Sequence, residues 1–149
     1  MNNLVKLCSI RPMGQADLEA VVAIEQLNSA SPWSKKQFLQ CIEWTQVIVV
    51  DNAVLGFSVV VDVVDQAELQ NISMHPNHKR LGLGEELLDY VIQRLPEQIN
   101  QIYLEVRVSN SSAIRLYNKI GFTEVGHRRD YYCTEYGRED ALLMSRSLC

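Results

Sequence analysis

Lys79, Arg80, Gly82 and Gly84 fall in one run, Lys79-Arg80-Leu81-Gly82-Leu83-Gly84, and residue types in this pattern are suited to holding phosphate. Before the run lies an extended segment, Leu69-Gln70-Asn71-Ile72-Ser73-Met74, closed by His75-Pro76. After it comes an amphipathic stretch from Glu85 to Leu95. The order is strand, basic glycine-rich loop, helix. A helix start has unpaired backbone N–H groups and a partial positive charge, which attract phosphate oxygens. Glycines let the backbone approach an anion with no Cβ in the way, and the two cations add full charges. This predicts a pyrophosphate cradle. The loop alone leaves open a plain glycine turn with exposed charges.

Two nucleotide motifs fail on spacing. A Walker loop requires Gly, four residues, then Gly-Lys-Ser/Thr, whereas Glu85 follows Gly84 here. A dinucleotide fingerprint requires a third glycine where Leu87 stands, and it belongs after the first strand rather than mid-chain.

Glu105 and Tyr117 are the other residues with chemistry to offer. In Ile102-Tyr103-Leu104-Glu105-Val106, alternation puts Ile102, Leu104 and Val106 on one face and Tyr103 and Glu105 on the other. Glu105 is thus a carboxylate on a rigid strand, either a proton acceptor or a solvated surface group. Tyr117 shares a helical stripe with Ala113, Leu116 and Ile120, the pattern of a core tyrosine. Asn110 is placed to cap the helix that starts at Ser111. His75, His78 and His127 have no metal-ligand spacing, and no metal is expected.

The elements around these residues read as a single α/β domain. At 149 residues and 47% apolar content the chain can bury a core. Strands are predicted over Val5 to Arg11, Val47 to Val50, Leu55 to Val64, Ala67 to Met74, Ile102 to Arg107, Thr123 to Tyr132 and Ala141 to Ser147. Helices are predicted over Asp17 to Leu27, from a Ser34/Gln37 capping box to about Trp44, over Glu85 to Leu95, and over Ser111 to Ile120, stopped by Gly121. Asp51-Asn52 reads as a turn. No apolar run approaches the roughly 20 residues a membrane span needs, and the first residues lack a signal-peptide block. Four scattered cysteines (Cys8, Cys41, Cys133, Cys149) fit a reduced, cytoplasmic protein. A net charge of −4 speaks against nucleic-acid binding and is compatible with an amine or basic protein as substrate.

The run 79–84 resembles the acetyl-CoA loop of the GCN5-related N-acetyltransferases (GNAT), Gln/Arg-x-x-Gly-x-Gly/Ala, with Lys79 in place of the first residue. A charge is kept but the bidentate fork is lost. Asn-x-x-Ala-x-x-Leu-Tyr-x-x-x-Gly-Phe, here Asn110 to Phe122, belongs to the same resemblance, as does the element order over almost the whole chain. The resemblance implies a mixed, mostly antiparallel sheet of about seven strands flanked by about four helices. It implies acetyl-CoA as cosubstrate, held by Lys79, Arg80, Leu81, Gly82, Leu83 and Gly84, with Asn110 in contact. The backbone of Ile72, Ser73 and Met74 would pair with the pantetheine arm.

Acyl transfer to an amine requires an amine proton to leave, donors for an oxyanion and a proton for the departing thiolate. The resemblance makes Glu105 the general base, direct or through a water, and Tyr117 the acid. A phenol's reference pKa is roughly 10, against a thiol's ~8.5. No cysteine nucleophile is needed, so no acetyl-enzyme is expected.

A further resemblance narrows the substrate. Ser31-Pro32-Trp33-Ser34, Leu104-Glu105-Val106-Arg107-x-Ser109-Asn110, Arg128-Arg129-Asp130-Tyr131-Tyr132 and Gly137-Arg138-Glu139-Asp140-Ala141 look like the RimI branch. That branch acetylates the N-terminal alanine amine of a small-subunit ribosomal protein. It implies Trp33, Tyr131 and Tyr132 as groove walls; as residues, they serve equally as core or surface aromatics. An α-amine of pKa ~8 is about a tenth neutral at pH 7, whereas a lysine at ~10.4 is neutral in about one molecule in 2,500. The lysine reaction starts roughly 3 kcal/mol further uphill. Lysine or small-amine acetylation, and a non-catalytic acyl-CoA sensor, remain the rival readings. Oligomeric state is open.

Overall fold

β-branched runs and apolar stripes resolve into seven strands and four α-helices in the computed structural model, which describes residues 7–148. In chain order these are β1 (Ser9–Pro12), α1 (Leu18–Asn28), α2 (Lys35–Gln40), β2 (Thr45–Val50), β3 (Ala53–Val63), β4 (Gln66–Met74), α3 (Leu83–Gln93), β5 (Gln101–Arg107), α4 (Ser111–Ile120), β6 (Thr123–Thr134) and β7 (Gly137–Ser147). The strands hydrogen-bond in the order β1-β2-β3-β4-β5-β7-β6, a seven-stranded mixed sheet. β4 and β5 are parallel, while β1–β2, β2–β3, β5–β7 and β6–β7 are antiparallel. No helix among the described residues is long and apolar enough to cross a membrane.

Several element ends differ from the sequence reading, each for a local reason. Of the first strand, predicted from Val5, residues 5 and 6 lie outside the described part, and pairing starts at Ser9. Pro12, read as its stop, is inside it; proline lacks the N–H a central strand needs, and β1 is an edge strand. The second helix stops at Gln40 rather than near Trp44, and a 3₁₀ turn spans Ile42–Trp44. There the Cys41 carbonyl accepts from both the Trp44 N–H (3.0 Å) and the Thr45 hydroxyl (2.8 Å). β7 begins at Gly137, not Ala141, because a tight turn feeds it. Gly137 has φ +128°, open to glycine but strained for other residues.

The chain divides into two compact units. One is made by the chain up to Val60 together with Asn71–Leu95. Ile48, Leu55, Met74, Leu83 and Leu87 form a core cluster in it, flanked by Ile10, Ile72, Leu81 and Val91. Phe38 of α2, fully buried, stacks edge-on to Phe57 of β3 at 5.2 Å. The capping box at α2 forms as predicted: the Gln37 N–H donates to Ser34 Oγ at 3.2 Å, and the Ser34 N–H to Gln37 Oε1 at 2.8 Å. Asp51 and Asn52 make the β2–β3 turn, both with positive φ, which short polar side chains tolerate.

Val61–Gln70 and the chain from Pro96 onward form the other unit. On β5 the buried positions are Ile102, Leu104 and Val106, so Tyr103 and Glu105 lie on the opposite face, as period-two alternation requires. Leu104 pairs with Met144 of β7, also buried. Tyr117 and Ile120 are the buried residues of α4. The Tyr117 ring meets Phe122 edge-on at 5.9 Å.

Candidate active site

In the first unit the basic loop leads directly into α3. The helix starts at Leu83, two residues before the predicted Glu85, and Gly82 is its N-cap with φ +82°. The two glycines therefore differ. Gly82 needs the left-handed region, whereas Gly84 is already helical. Arg80 also has positive φ, +63°. The first helical bond runs from the Glu86 N–H to the Gly82 carbonyl at 3.1 Å, so the N–H groups of Leu83 and Gly84 precede the helical ladder. The Leu83 side chain is buried in the core cluster and Leu81 packs against it. These two leucines anchor the loop, and only their backbone can face an anion. Glu85 and Glu86 also occupy the first turn, where they suit the helix dipole and oppose a phosphate. Lys79 and Arg80 offset them. What this turn offers an anion is the helix-start N–H groups and two cations.

The strand segment before this loop is fixed from α1. Asn28 Nδ2 donates to Ser73 Oγ at 2.6 Å and to the Met74 carbonyl at 2.7 Å. The ladder between β4 and β5 covers Gln66 to Leu69. Glu25, only 3% exposed, accepts from the Trp33 N–H at 2.9 Å and from Asn71 Nδ2 at 3.2 Å. It links the Trp33 loop to this segment. Glu25 and Asn28 escaped the sequence reading. The available signal was two polar residues on the stripe of Val21 and Ile24, at helical spacing. The Trp33 ring itself lies 5.3 Å from Phe38, half-buried against the core.

Glu105, Asn110, Tyr117, Tyr131 and Tyr132 belong to the second unit. A cavity of about 830 Å³ there is lined by Asp65 and Glu68, by Tyr103 and Glu105 of β5, and by Arg128 of β6. Arg128 Nη2 stands 3.4 Å from Glu105 Oε1; the side chains are 51% and 24% exposed. Arg128 also lies over the Tyr131 ring at 5.1 Å, and Tyr131 meets Tyr132 edge-on at the same distance. The Tyr132 phenol is pushed up by burial first and then by the Glu105 charge, so the two sit in one another's field. Arg107 covers the Tyr132 ring at 4.3 Å and is held by Glu139 at 3.0 Å. Thus Glu105, Tyr131 and Tyr132 are drawn together through two arginines that sequence reasoning gave no role.

Tyr117 is 7% exposed, and burial raises its phenol well above the ordinary value, with Tyr132 adding to the shift. It stays protonated at neutral pH and is a hydrogen-bond donor, but a weaker acid than its reference pKa suggests. Asn110 caps α4: its Oδ1 accepts from the Ala113 N–H at 3.3 Å. Among the described residues no three histidine, cysteine or carboxylate side chains stand together as a metal site.

A sequence profile of the acetyltransferase (GNAT) family matches residues 17–122. The [ribosomal protein bS18]-alanine N-acetyltransferase of Escherichia coli (strain K12) is 39% identical over 141 residues, 92% of this chain and 95% of that protein. A crystal structure of the ribosomal-protein-S18-alanine N-acetyltransferase from Escherichia coli superposes with a TM-score of 0.88 at 37% identity, covering 95% of this chain and 94% of the other. Ard1 from Thermoplasma volcanium superposes with a TM-score of 0.87 at 27% identity, covering 96% and 99%.

Proposed function

The chain belongs to the acetyltransferase (GNAT) family, and on that premise we propose that it acetylates the N-terminal alanine amine of ribosomal protein bS18. It works as one catalytic domain in the cytoplasm, by direct transfer in a ternary complex. Acetyl-CoA, which the family uses, supplies the activated acyl group. The observation that carries the chemistry is Glu105, a carboxylate on a strand that lines a cavity of about 830 Å³.

Each remaining role is carried over from the family resemblance and is compatible with the residue's own chemistry. Lys79, Arg80 and the N–H groups at 82–84 hold the diphosphate. Asn110 contacts the cofactor while capping α4. The backbone at Ile72, Ser73 and Met74 aligns the pantetheine arm. Glu105 accepts the amine proton, and for an α-amine already about a tenth neutral at pH 7 one carboxylate suffices. Tyr117, protonated throughout, donates to the leaving sulfur. Its raised pKa makes this a hydrogen bond first, completed as proton transfer only where the thiolate is equally desolvated. Trp33, Tyr131 and Tyr132 wall the acceptor groove.

The test is acetylation of purified ribosomal proteins, read by mass spectrometry, beside a pair of peptides. One begins with a free alanine; its twin is N-blocked and carries a lysine. Acetyl groups on the free alanine alone support the reading. Modification of the lysine twin at a matching rate overturns the N-terminal specificity, and acetyl-CoA binding without transfer to anything overturns catalysis.

A further inference from the structure

Arg128 faces Glu105 at 3.4 Å, too far for a tight hydrogen bond and close enough to orient a carboxylate. A pair this exposed contributes little to stability. Its position is nevertheless carefully held. His127 Nε2 lies 2.6 Å from Asp140 Oδ2, and the Asp130 N–H donates to Asp140 Oδ1 at 2.9 Å. Asp140 therefore holds the His127 ring on one side of Arg128 and the Asp130 backbone on the other, at the point where the β6–β7 register shifts and Asp130 takes a positive φ. The His127 bond and the Asp130 amide keep the Asp140 carboxyl below its usual range, so the grip is a charged one. The Arg128 guanidinium also lies over the Tyr131 ring.

The groups facing Arg128 and Glu105 are Asp65 and Glu68 from the β3–β4 hairpin, Tyr103 from β5, and Tyr131 and Tyr132 from β6, with Leu143 on β7. Arg128 is the one cation among the described residues that line the cavity, against three carboxylates. An ammonium ion entering this cavity is attracted by the three carboxylates and repelled by Arg128. Opposite charges stabilise the charged form of an amine, which is the form that cannot attack a thioester.

We propose that Arg128 is a positioning residue for acyl transfer: it holds one oxygen of Glu105 so that the other faces the incoming amine, and its charge opposes binding of that amine as ammonium. The proposal rests on the reading of Glu105 as proton acceptor. It gives the Arg-Arg-Asp-Tyr-Tyr and Gly-Arg-Glu-Asp segments a joint purpose, one carrying the arginine and the other fixing it.

The experiment compares Arg128→Met, Arg128→Lys, Glu105→Gln and the Arg128→Met/Glu105→Gln double variant on an alanine-initiated peptide. Circular dichroism and acetyl-CoA calorimetry confirm folding. Arg128→Met is expected to lose about tenfold or more in kcat, as misplaced catalytic groups do. Its KM for acetyl-CoA stays unchanged and its kcat pH profile moves to higher pH. Arg128→Lys, with the charge but not the fork, recovers the profile and only part of the rate. In the double variant Arg128→Met costs nothing beyond Glu105→Gln. A kcat for Arg128→Met within twofold of the parent with an unmoved profile overturns the proposal, as does an equal loss with and without Glu105. If Glu105→Gln itself turns over normally, the proton-acceptor reading fails and this proposal with it. A crippled Glu105→Gln beside an unaffected Arg128→Met removes Arg128 alone. Should Arg128→Met not fold, Arg128→Gln is read by the same criteria.

Discussion

Replacing Gly82 by alanine separates a phosphate cradle from an ordinary turn. Gly82 has φ +82° and ψ +3°, a left-handed conformation that costs an L-residue about 1–2 kcal/mol. Two outcomes are open to the variant. If the loop keeps its shape, the folded state loses that 1–2 kcal/mol, and for a chain of this size the melting temperature falls by about 2–8 °C. If the loop relaxes instead, the N–H groups of Leu83 and Gly84 turn away from the ligand. Each charge-assisted hydrogen bond lost is worth about 1.5–3 kcal/mol, or roughly 10–150-fold in acetyl-CoA affinity. The internal control is Gly84→Ala. Gly84 is helical, so alanine there meets no backbone strain and adds up to about 1 kcal/mol of helix propensity. Calorimetric titration with acetyl-CoA and thermal melts of the two variants give the answer. A Gly82→Ala protein with the parent's melting temperature and the parent's acetyl-CoA affinity would refute the cradle.

Glu105→Gln should lower turnover about 10²–10⁴-fold, close to 3–5 kcal/mol of barrier. Its stability should change by no more than about 1 kcal/mol, since the lost pair with Arg128 is half-exposed; single-turnover assays and urea melts measure the two. Tyr117→Phe keeps the ring contact with Phe122, so it should fold normally and lose turnover, and a normal rate would return Tyr117 to the core. Because burial raises the Tyr117 pKa, the unfolded chain ionises first as pH climbs past roughly 10. Stability should fall there in the parent and less in Tyr117→Phe, as pH-dependent melts will show. Asp17 accepts two bonds from Arg11, at 2.7 and 2.9 Å, and one from the Gly14 N–H at 2.8 Å, and these hold its carboxyl below the usual range. A depressed carboxyl stabilises above its unfolded pKa of ~3.9 and ceases to as pH falls through the folded value. Asp17→Asn should therefore cost about 1–3 kcal/mol at pH 7, with the two denaturation curves converging in acid.

Local rules were legible wherever one neighbour decides the outcome. The β5 alternation, the Ser34/Gln37 box and the Asn110 cap depend on residues within four positions, and all three form as read. Element ends were less legible. The Cys41 carbonyl that ends α2 is claimed by Thr45, and Pro12 is tolerated only because β1 lies at an edge. Leu81 and Leu83 looked like loop residues; packing against Ile48 and Leu55 makes them anchors.

By itself the sequence singled out the residues proposed to carry the chemistry: a strand carboxylate at 105, a phenol at 117 and a cationic glycine turn at 79–84. Residue type and short-range periodicity place those residues on their elements, and the family resemblance assigns them their roles. Tertiary structure decided which glycine must be left-handed, that Glu25 and Asn28 brace the 71–74 segment, and that Arg128 stands against Glu105 with Asp140 holding its neighbours His127 and Asp130. These contacts join residues 10 to 46 positions apart. At such separations no periodicity in the chain records which side chains meet, because strand order and register set the meeting.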